Sequence, residues 1–484
     1  MSKVYNRGIS IIIIIWVILI SYILCRLLGQ PDGTAWPIKL AMGIFIAVPI
    51  CQTVRDKKRD NLKYEDLVHR IIFMGIVMRI GYMLYTGCIV RSHDLGELSY
   101  DYSGHAGYLL SIIENCTLPG TNSGQFYQQP LFYLTGGFVS RCINAVLGSG
   151  NAMDLVDAAK TVSCAASCIS LLVAERIMVF CGLRDRGLAI AMTLMAFLPG
   201  FYLAGGRTNP DMLAFMFMML AVLYTLRWIR NPDWKNTIIL ALIYGFGMMT
   251  KISCGIIAVV TAIVFVLKLI EAAKERRLLP LAKKYAVFSV VSLPLGLWYS
   301  VRNYIAFGQS LNYVLLIDRN SDIYTGNYSI FQRLIGIDIR NLISTPYAHP
   351  FDDYNFPVYS LKSSLFGEFT YDAGNIIPSV LLCIAAILSA FFVIALVKIL
   401  RDKEISFYQK FFCILAIWLY VSGLWFYYNY PFGCSMDYRY LLILTLPAAV
   451  ILGSCSSFSE KSRYCLNVLL GGFGIMSCMM YCVI

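Results

Sequence analysis

HDLGELSYDYSGHAGYLLSIIENCTLPG, residues 93–120, followed after a short turn by QFYQQPLFYLTGG, residues 125–137, is a polar loop that interrupts an otherwise near-continuous series of apolar segments. It holds Asp94, Glu97, Asp101 and Glu114, together with His93 and His105, two of the chain's four histidines. Ionisable groups beside a bilayer are costly to keep unless they serve a site. The loop therefore reads as the functional centre, and the apolar runs around it as its frame.

Those runs decide the class. Hydrophobic residues make up 58% of the 484, charged residues 14%, and the mean hydropathy is +0.66. A soluble domain carries about one quarter charged residues. Stretches long enough to cross ~30 Å of hydrocarbon fall near 9–28, 36–54, 67–90, 157–181, 187–206, 210–229, 236–250, 252–271, 283–304, 376–400, 407–428, 438–456 and 464–483. This predicts an all-α polytopic membrane protein with about 13 transmembrane helices. The pair 236–250 and 252–271 reads as broken around Thr250-Lys251. The first run follows a basic start, but it is long and lacks a small-residue cleavage site, so it reads as a retained span. No linker or repeat divides the chain, which leaves one membrane domain with an outer insertion of mixed structure at 305–375. That insertion is rich in aspartate: Asp318, Asp322, Asp338, Asp352, Asp353 and Asp372.

The net charge of +12 sits largely in short loops such as 55–59 and 274–277, where it sets orientation and meets anionic lipid. No basic stripe carries interleaved aromatics on a polar surface, which speaks against nucleic acid as a partner. By the positive-inside rule the basic loops face the cytoplasm. The N-terminus is then cytoplasmic, and residues 91–156 and 305–375 lie outside. Residues 128–148 are apolar enough to suggest another span. Counting them as one would turn every later basic loop outward, so they read as a helix lying at the interface, with Pro130 near its start. Residues 105–115 read the same way. The sixteen cysteines follow no framework spacing, and most behave as small hydrophobes.

At the outer ends of several spans this topology gathers charges of both signs. The carboxylates are Asp94, Asp101, Asp211 and Asp437; the cations are Arg207, Lys251, Arg302 and Arg439. Cations on that face run against the positive-inside rule. The set suits chemistry at the lipid–water boundary on a substrate bearing phosphate. A carboxylate takes a proton from an attacking hydroxyl, and an arginine fork holds phosphate and stabilises the charge that leaves. The plainer alternative is that each arginine snorkels and pairs with a carboxylate to stabilise a helix end. His93, Asp94, Glu97, Asp101 and His105 also make a candidate divalent-metal cluster, since Asp101 and His105 are four apart and would share a helix face. No HExxH or CxxC pattern accompanies it, and hydrogen bonding within the loop is the simpler account.

The order of these elements resembles the GT-C superfamily of membrane glycosyltransferases, in particular the family 39-like branch of protein O-mannosyltransferases and aminoarabinose transferases. The resemblance rests on SYDYSGHAGYLLSIIENCTLPG and FYQQPLFYL in the first outer loop, TNPDML at 208–213, MTKISCG at 249–255, WYSVRNYIAFGQSL at 298–311 and MDYRYLLILTLP at 436–447. It covers roughly residues 67–456. Two extra spans lie within 1–66, and a last helix follows in 457–484. The resemblance implies that Asp101 is the general base, with Asp94 as its rival. It implies that Asp211 is the second-loop aspartate, and that Arg302 and Arg439 serve the lipid phosphate. The donor it implies is a polyprenyl-phosphate sugar, and the acceptor a glycan, lipid or protein on the extracytoplasmic face of the cell membrane. His105, Arg207, Lys251, Asp437 and Tyr127 join as substrate-binding candidates, with Tyr102, Tyr127 and Tyr133 as stacking surfaces. Tyr102 stands where the family commonly has Glu, which leaves one carboxylate fewer for an acceptor or a metal. Two other classes fit less well. A lipid-linked oligosaccharide flippase would carry polar groups at mid-bilayer and corresponding halves. A polysaccharide polymerase or ligase would use a diphosphate-linked donor.

Overall fold

In the computed structural model the described residues are 2–29, 36–276, 278–311, 313–337, 351, 353–371, 376–454 and 458–483. Asp338, Asp352 and Asp372 of the insertion, and Arg277, lie outside them. Among the described residues no strand forms, and the one β contact is an isolated antiparallel bridge between Tyr324 and Phe432. Each of the thirteen apolar stretches carries a helix among the described residues. Ten are long and apolar enough to cross a membrane, and an eleventh is the bent pair Asp185–Phe197 and Pro199–Gly205. The remaining two are shorter. Trp234–Thr250 has 17 residues and Thr445–Ser454 has 10, so at ~1.5 Å per residue neither reaches ~30 Å. The break expected at Thr250-Lys251 is present: Lys251 is extended, and a 3-10 turn, Ile252–Ile257, leads into Ala258–Lys274. Leu131–Leu147 is a single helix of 17 residues closed by Gly148 in the left-handed region. Among its described residues the insertion holds the short helices Ile330–Leu334 and Phe356–Phe366.

Local sequence explains the helix starts. Ser406 and Gln409 close a capping box ahead of Phe407–Asn429. Asn355 caps Phe356–Phe366, with Pro357 in the first turn where its missing N–H costs nothing. Asp233 and Asn151 cap Trp234–Thr250 and Ala152–Ala158 through backbone N–H groups three residues on.

The chain clusters into two compact units. The first comprises Met1–Ala35, Met83–Val173 and Ala204–Leu315; the second comprises Trp36–Tyr82, Ala174–Leu203 and Leu316–Ile484. In the first, Gly245 and Gly296 let Trp234–Thr250 and Leu278–Phe307 close on each other, because a Cβ at Gly245 would run into Leu295 and one at Gly296 into Met248. Thr225, Thr261 and Tyr244 link three helices by hydroxyl hydrogen bonds of 2.7 and 2.6 Å. In the second, Arg79 is 1% exposed. Pro199 has no N–H, so Met195 loses its helical donor and the helix bends by 44°. Arg79 fills the gap, donating to Met195 and Ala196 carbonyls at 2.9 Å each.

Candidate active site

In the first unit, residues 93–104 fold back on the start of helix His105–Asn115. That helix has no side-chain cap. Its first amides are used instead by the loop's own carbonyls: His105 N–H donates to Asp94 at 2.9 Å and Ala106 N–H to Leu95 at 2.8 Å. The close approach needs Gly104 and Gly107, where a Cβ would strike the carbonyls of Leu95 and Tyr102. Asp94 sits at φ 54°, a region that Asp tolerates. Asp101 lies on the exposed turn of this loop, its own N–H on Ser99 Oγ at 3.3 Å. Among the described residues its carboxylate has no hydrogen-bond or ion-pair partner.

His105 points the other way. It is buried, and its Nδ1 lies 2.6 Å from the Tyr133 hydroxyl. Tyr133 stacks on Tyr108, centroids 3.8 Å apart and nearly parallel. Burial pushes the Tyr133 phenol well above its usual value, and Tyr127, Asp211, Tyr299 and Asp94 push it further in the same direction. It therefore remains a hydroxyl at neutral pH. Tyr127 sets its ring edge-on to Tyr313 at 5.2 Å. Among the described residues, His93, Asp94, Glu97, Asp101 and His105 do not bring three donor atoms within ligand reach of one another; the ring of His105 belongs to the tyrosine stack.

The outer cations of this unit are held as follows. Asp211 opens helix Asp211–Arg230, where the dipole favours a carboxylate. It accepts from Lys251 Nζ at 2.5 Å and from Asn209 Nδ2 at 3.3 Å. Arg207 Nε donates to the Arg91 carbonyl at 2.9 Å. Arg302 donates to the Pro119 carbonyl at 2.7 Å and to Asn303 at 2.8 Å, and lies against the rings of Tyr299 and Phe307. Lys251 thus pairs with Asp211, and Arg207 and Arg302 donate to the main-chain oxygens of Arg91 and Pro119.

In the second unit, Asp437 caps the turn Tyr438–Tyr440 by accepting from Arg439 N–H at 3.1 Å, and the two side chains approach to 3.4 Å. Arg439 also donates to the Tyr440 hydroxyl at 3.1 Å. Tyr438, one residue before it, lines a cavity of about 600 Å³ whose walls include Leu198, Leu361, Leu396, Ile417 and Thr445. Polar groups that the sequence reading passed over are Asn209, which braces Asp211, and the buried ion pairs Asp157–Lys160 and Asp353–Lys362. Lys160 and Lys362 gave no signal because each lies within a largely apolar stretch.

Residues 152–298, less than a third of the chain, match the family model of dolichyl-phosphate-mannose-protein mannosyltransferases. Asp211 and Lys251 fall inside the match; Asp101, Arg302, Asp437 and Arg439 fall outside it. No curated protein matches the chain. Among solved structures, the oligosaccharyltransferase of Archaeoglobus fulgidus, in complex with Zn and sulfate, is similar at 12% identity and a TM-score of 0.48, over 85% of this chain and 53% of that one. The chain thus spans about half the length of that protein. ArnT from Cupriavidus metallidurans is similar at 13% identity and a TM-score of 0.38 in the apo state, over 87% of this chain and 76% of that one. Its form bound to undecaprenyl phosphate gives 14%, 0.34, 81% and 76%. Residues 152–298 of this multi-pass helical chain are thus similar to the dolichyl-phosphate-mannose-protein mannosyltransferases.

Proposed function

We propose that the protein transfers a sugar from a polyprenyl-phosphate donor to an acceptor hydroxyl on the extracytoplasmic face of the cell membrane, with inversion and with Asp101 as general base. The observation that carries this reading is the state of Asp101: an exposed carboxylate with no partner among the described residues, on a loop whose main chain is pinned to a buried helix. A base must meet its substrate, whereas a carboxylate locked in an ion pair is already spent.

The chemistry is a single displacement. The Asp101 carboxylate takes the proton of the acceptor hydroxyl as its oxygen bonds to the anomeric carbon. The bond from that carbon to the phosphate oxygen breaks, and its electron pair leaves with polyprenyl phosphate. Inversion follows from attack opposite the leaving group. Arg302 holds the phosphate, since a guanidinium fork matches its oxygens and stabilises the charge that develops. Asp211, held by Lys251, orients the acceptor, and His105 supports the loop through Tyr133. Asp94 is the second carboxylate of the loop and the one to compare with Asp101.

Arg302→Lys keeps the charge and loses the planar fork. Its expected result is a donor KM raised about tenfold with kcat within about threefold of wild type, because phosphate contact is made in both ground and transition states. Initial rates at varied polyprenyl-phosphate-sugar concentration measure it; an unchanged KM removes Arg302 from the phosphate site.

A further inference from the structure

The reaction above leaves one buried charged cluster unused, and it reaches back to the first helix of the chain. Asp157 and Lys160 are each 2% exposed, within the membrane-crossing stretch Ala152–Phe180. One carboxylate oxygen of Asp157 accepts from the Cys88 backbone N–H at 2.8 Å and from Lys160 Nζ at 2.7 Å. The other accepts from the Tyr22 hydroxyl at 2.7 Å. Lys160 Nζ also donates to the Thr86 carbonyl at 2.6 Å. One turn beyond Tyr22, Arg26 pairs with Asp154.

Burying two charges here is unfavourable unless their lone pairs and protons are used. What they are used on is informative. Thr86 and Cys88 lie just past the end of helix Tyr64–Tyr85, where main-chain groups have no helical partner, and they are the root of the loop that carries Asp94 and Asp101. The same short stretch of residues 152–163 holds the second outer turn: Val156 accepts from Thr208 Oγ1 at 3.0 Å, and Ser163 Oγ donates to the Asn209 carbonyl at 3.2 Å. This one stretch, across the junction of helices Ala152–Ala158 and Lys160–Phe180, therefore registers both turns, and the N-terminal helix completes its polar cluster.

We propose that the N-terminal helix is a positioning element for Asp101: Tyr22 through Asp157, and Arg26 through Asp154, fix where the first outer loop leaves the membrane. Neither residue touches substrate. The effect on turnover rests on the reading of Asp101 as base; the docking of the loop root does not.

The test uses the full chain in lipid nanodiscs and the variant Tyr22→Phe, which removes one hydroxyl and nothing else. Hydrogen–deuterium exchange is followed across the protein, and kcat and KM are measured with polyprenyl-phosphate sugars. Exchange in peptides spanning 86–104 is expected to rise about tenfold, the effect of losing one hydrogen bond to a carboxylate, while other peptides stay within about twofold. Turnover is expected to fall about tenfold with the donor KM unchanged. Tyr464→Phe, at an exposed tyrosine of the last helix, is expected to change neither. Unchanged exchange at 86–104 overturns the proposal, and so does faster exchange spread evenly over the chain, which marks a merely structural brace. Faster loop exchange with wild-type kcat overturns the positioning of Asp101. If the wild type transfers no sugar, the proposed reaction fails, and the exchange comparison still decides the docking.

Discussion

Asp101→Asn is expected to lower sugar transfer at least about a hundredfold, the usual contribution of a general base, while expression and thermal stability stay at wild-type level. The two halves of this expectation come from the same geometry. The carboxylate is exposed and has no hydrogen-bond or ion-pair partner among the described residues, so an amide of the same shape is expected to leave the fold undisturbed. The amide has no basic lone pair for the acceptor proton, so attack must proceed from a neutral hydroxyl. Release of polyprenyl phosphate by purified protein in lipid, across a panel of donors, is the measurement. Asp94→Asn is the matched control, because asparagine also accepts the left-handed backbone at φ 54°. Full turnover in Asp101→Asn together with loss in Asp94→Asn would move the base to Asp94.

The largest stability effect is expected in the insertion, residues 305–375. Lys362 is fully buried and its ammonium sits 2.9 Å from Asp353, which is 2% exposed. Lys362→Met retains most of the volume and removes the charge that faces the carboxylate. Breaking a buried pair from one side costs about 3–5 kcal/mol, more than the pair itself contributes over a hydrophobic substitute. The midpoint of thermal unfolding, followed by intrinsic fluorescence, is expected to fall by roughly 5 °C or more. Lys362→Met combined with Asp353→Leu is expected to recover most of that loss, since both charges are then gone. A single variant as stable as wild type would show that the interior of the insertion is wetter than its packing implies.

The helical frame was legible because hydropathy over a long run reports a helix regardless of its neighbours: each of the thirteen stretches found by that rule carries a helix among the described residues. Length along a span was less legible. Pro199 splits one run, and Trp234–Thr250 stops short, each through local backbone chemistry that an average over a window conceals. The site divides the same way. Lys251 and Asp211 stood out one by one because each carries charge near a helix end, and their pairing came only with the structure. Arg207 and Arg302 are held by the carbonyls of Arg91 and Pro119, and a main-chain oxygen has no letter in the sequence. Lys160 and Asp157 were hidden by their surroundings, since two charges three residues apart cancel in composition and vanish in a largely apolar run. His105 was read as a ligand or substrate contact from its place in the loop; its burial against Tyr133 follows from the direction in which its helix turns.

Arg79 carries a consequence for how the chain is made. Its acceptors on Met195 and Ala196 are over a hundred residues downstream, and they do not exist when its own helix leaves the ribosome. At ordinary synthesis rates the delay is on the order of ten seconds. During that time the helix Tyr64–Tyr85 carries an arginine whose insertion into a bilayer is disfavoured by about 3 kcal/mol. Settling of that helix is therefore deferred until the Pro199-broken span arrives to receive it, so that a proline and an arginine far apart in sequence set the order in which the second unit assembles.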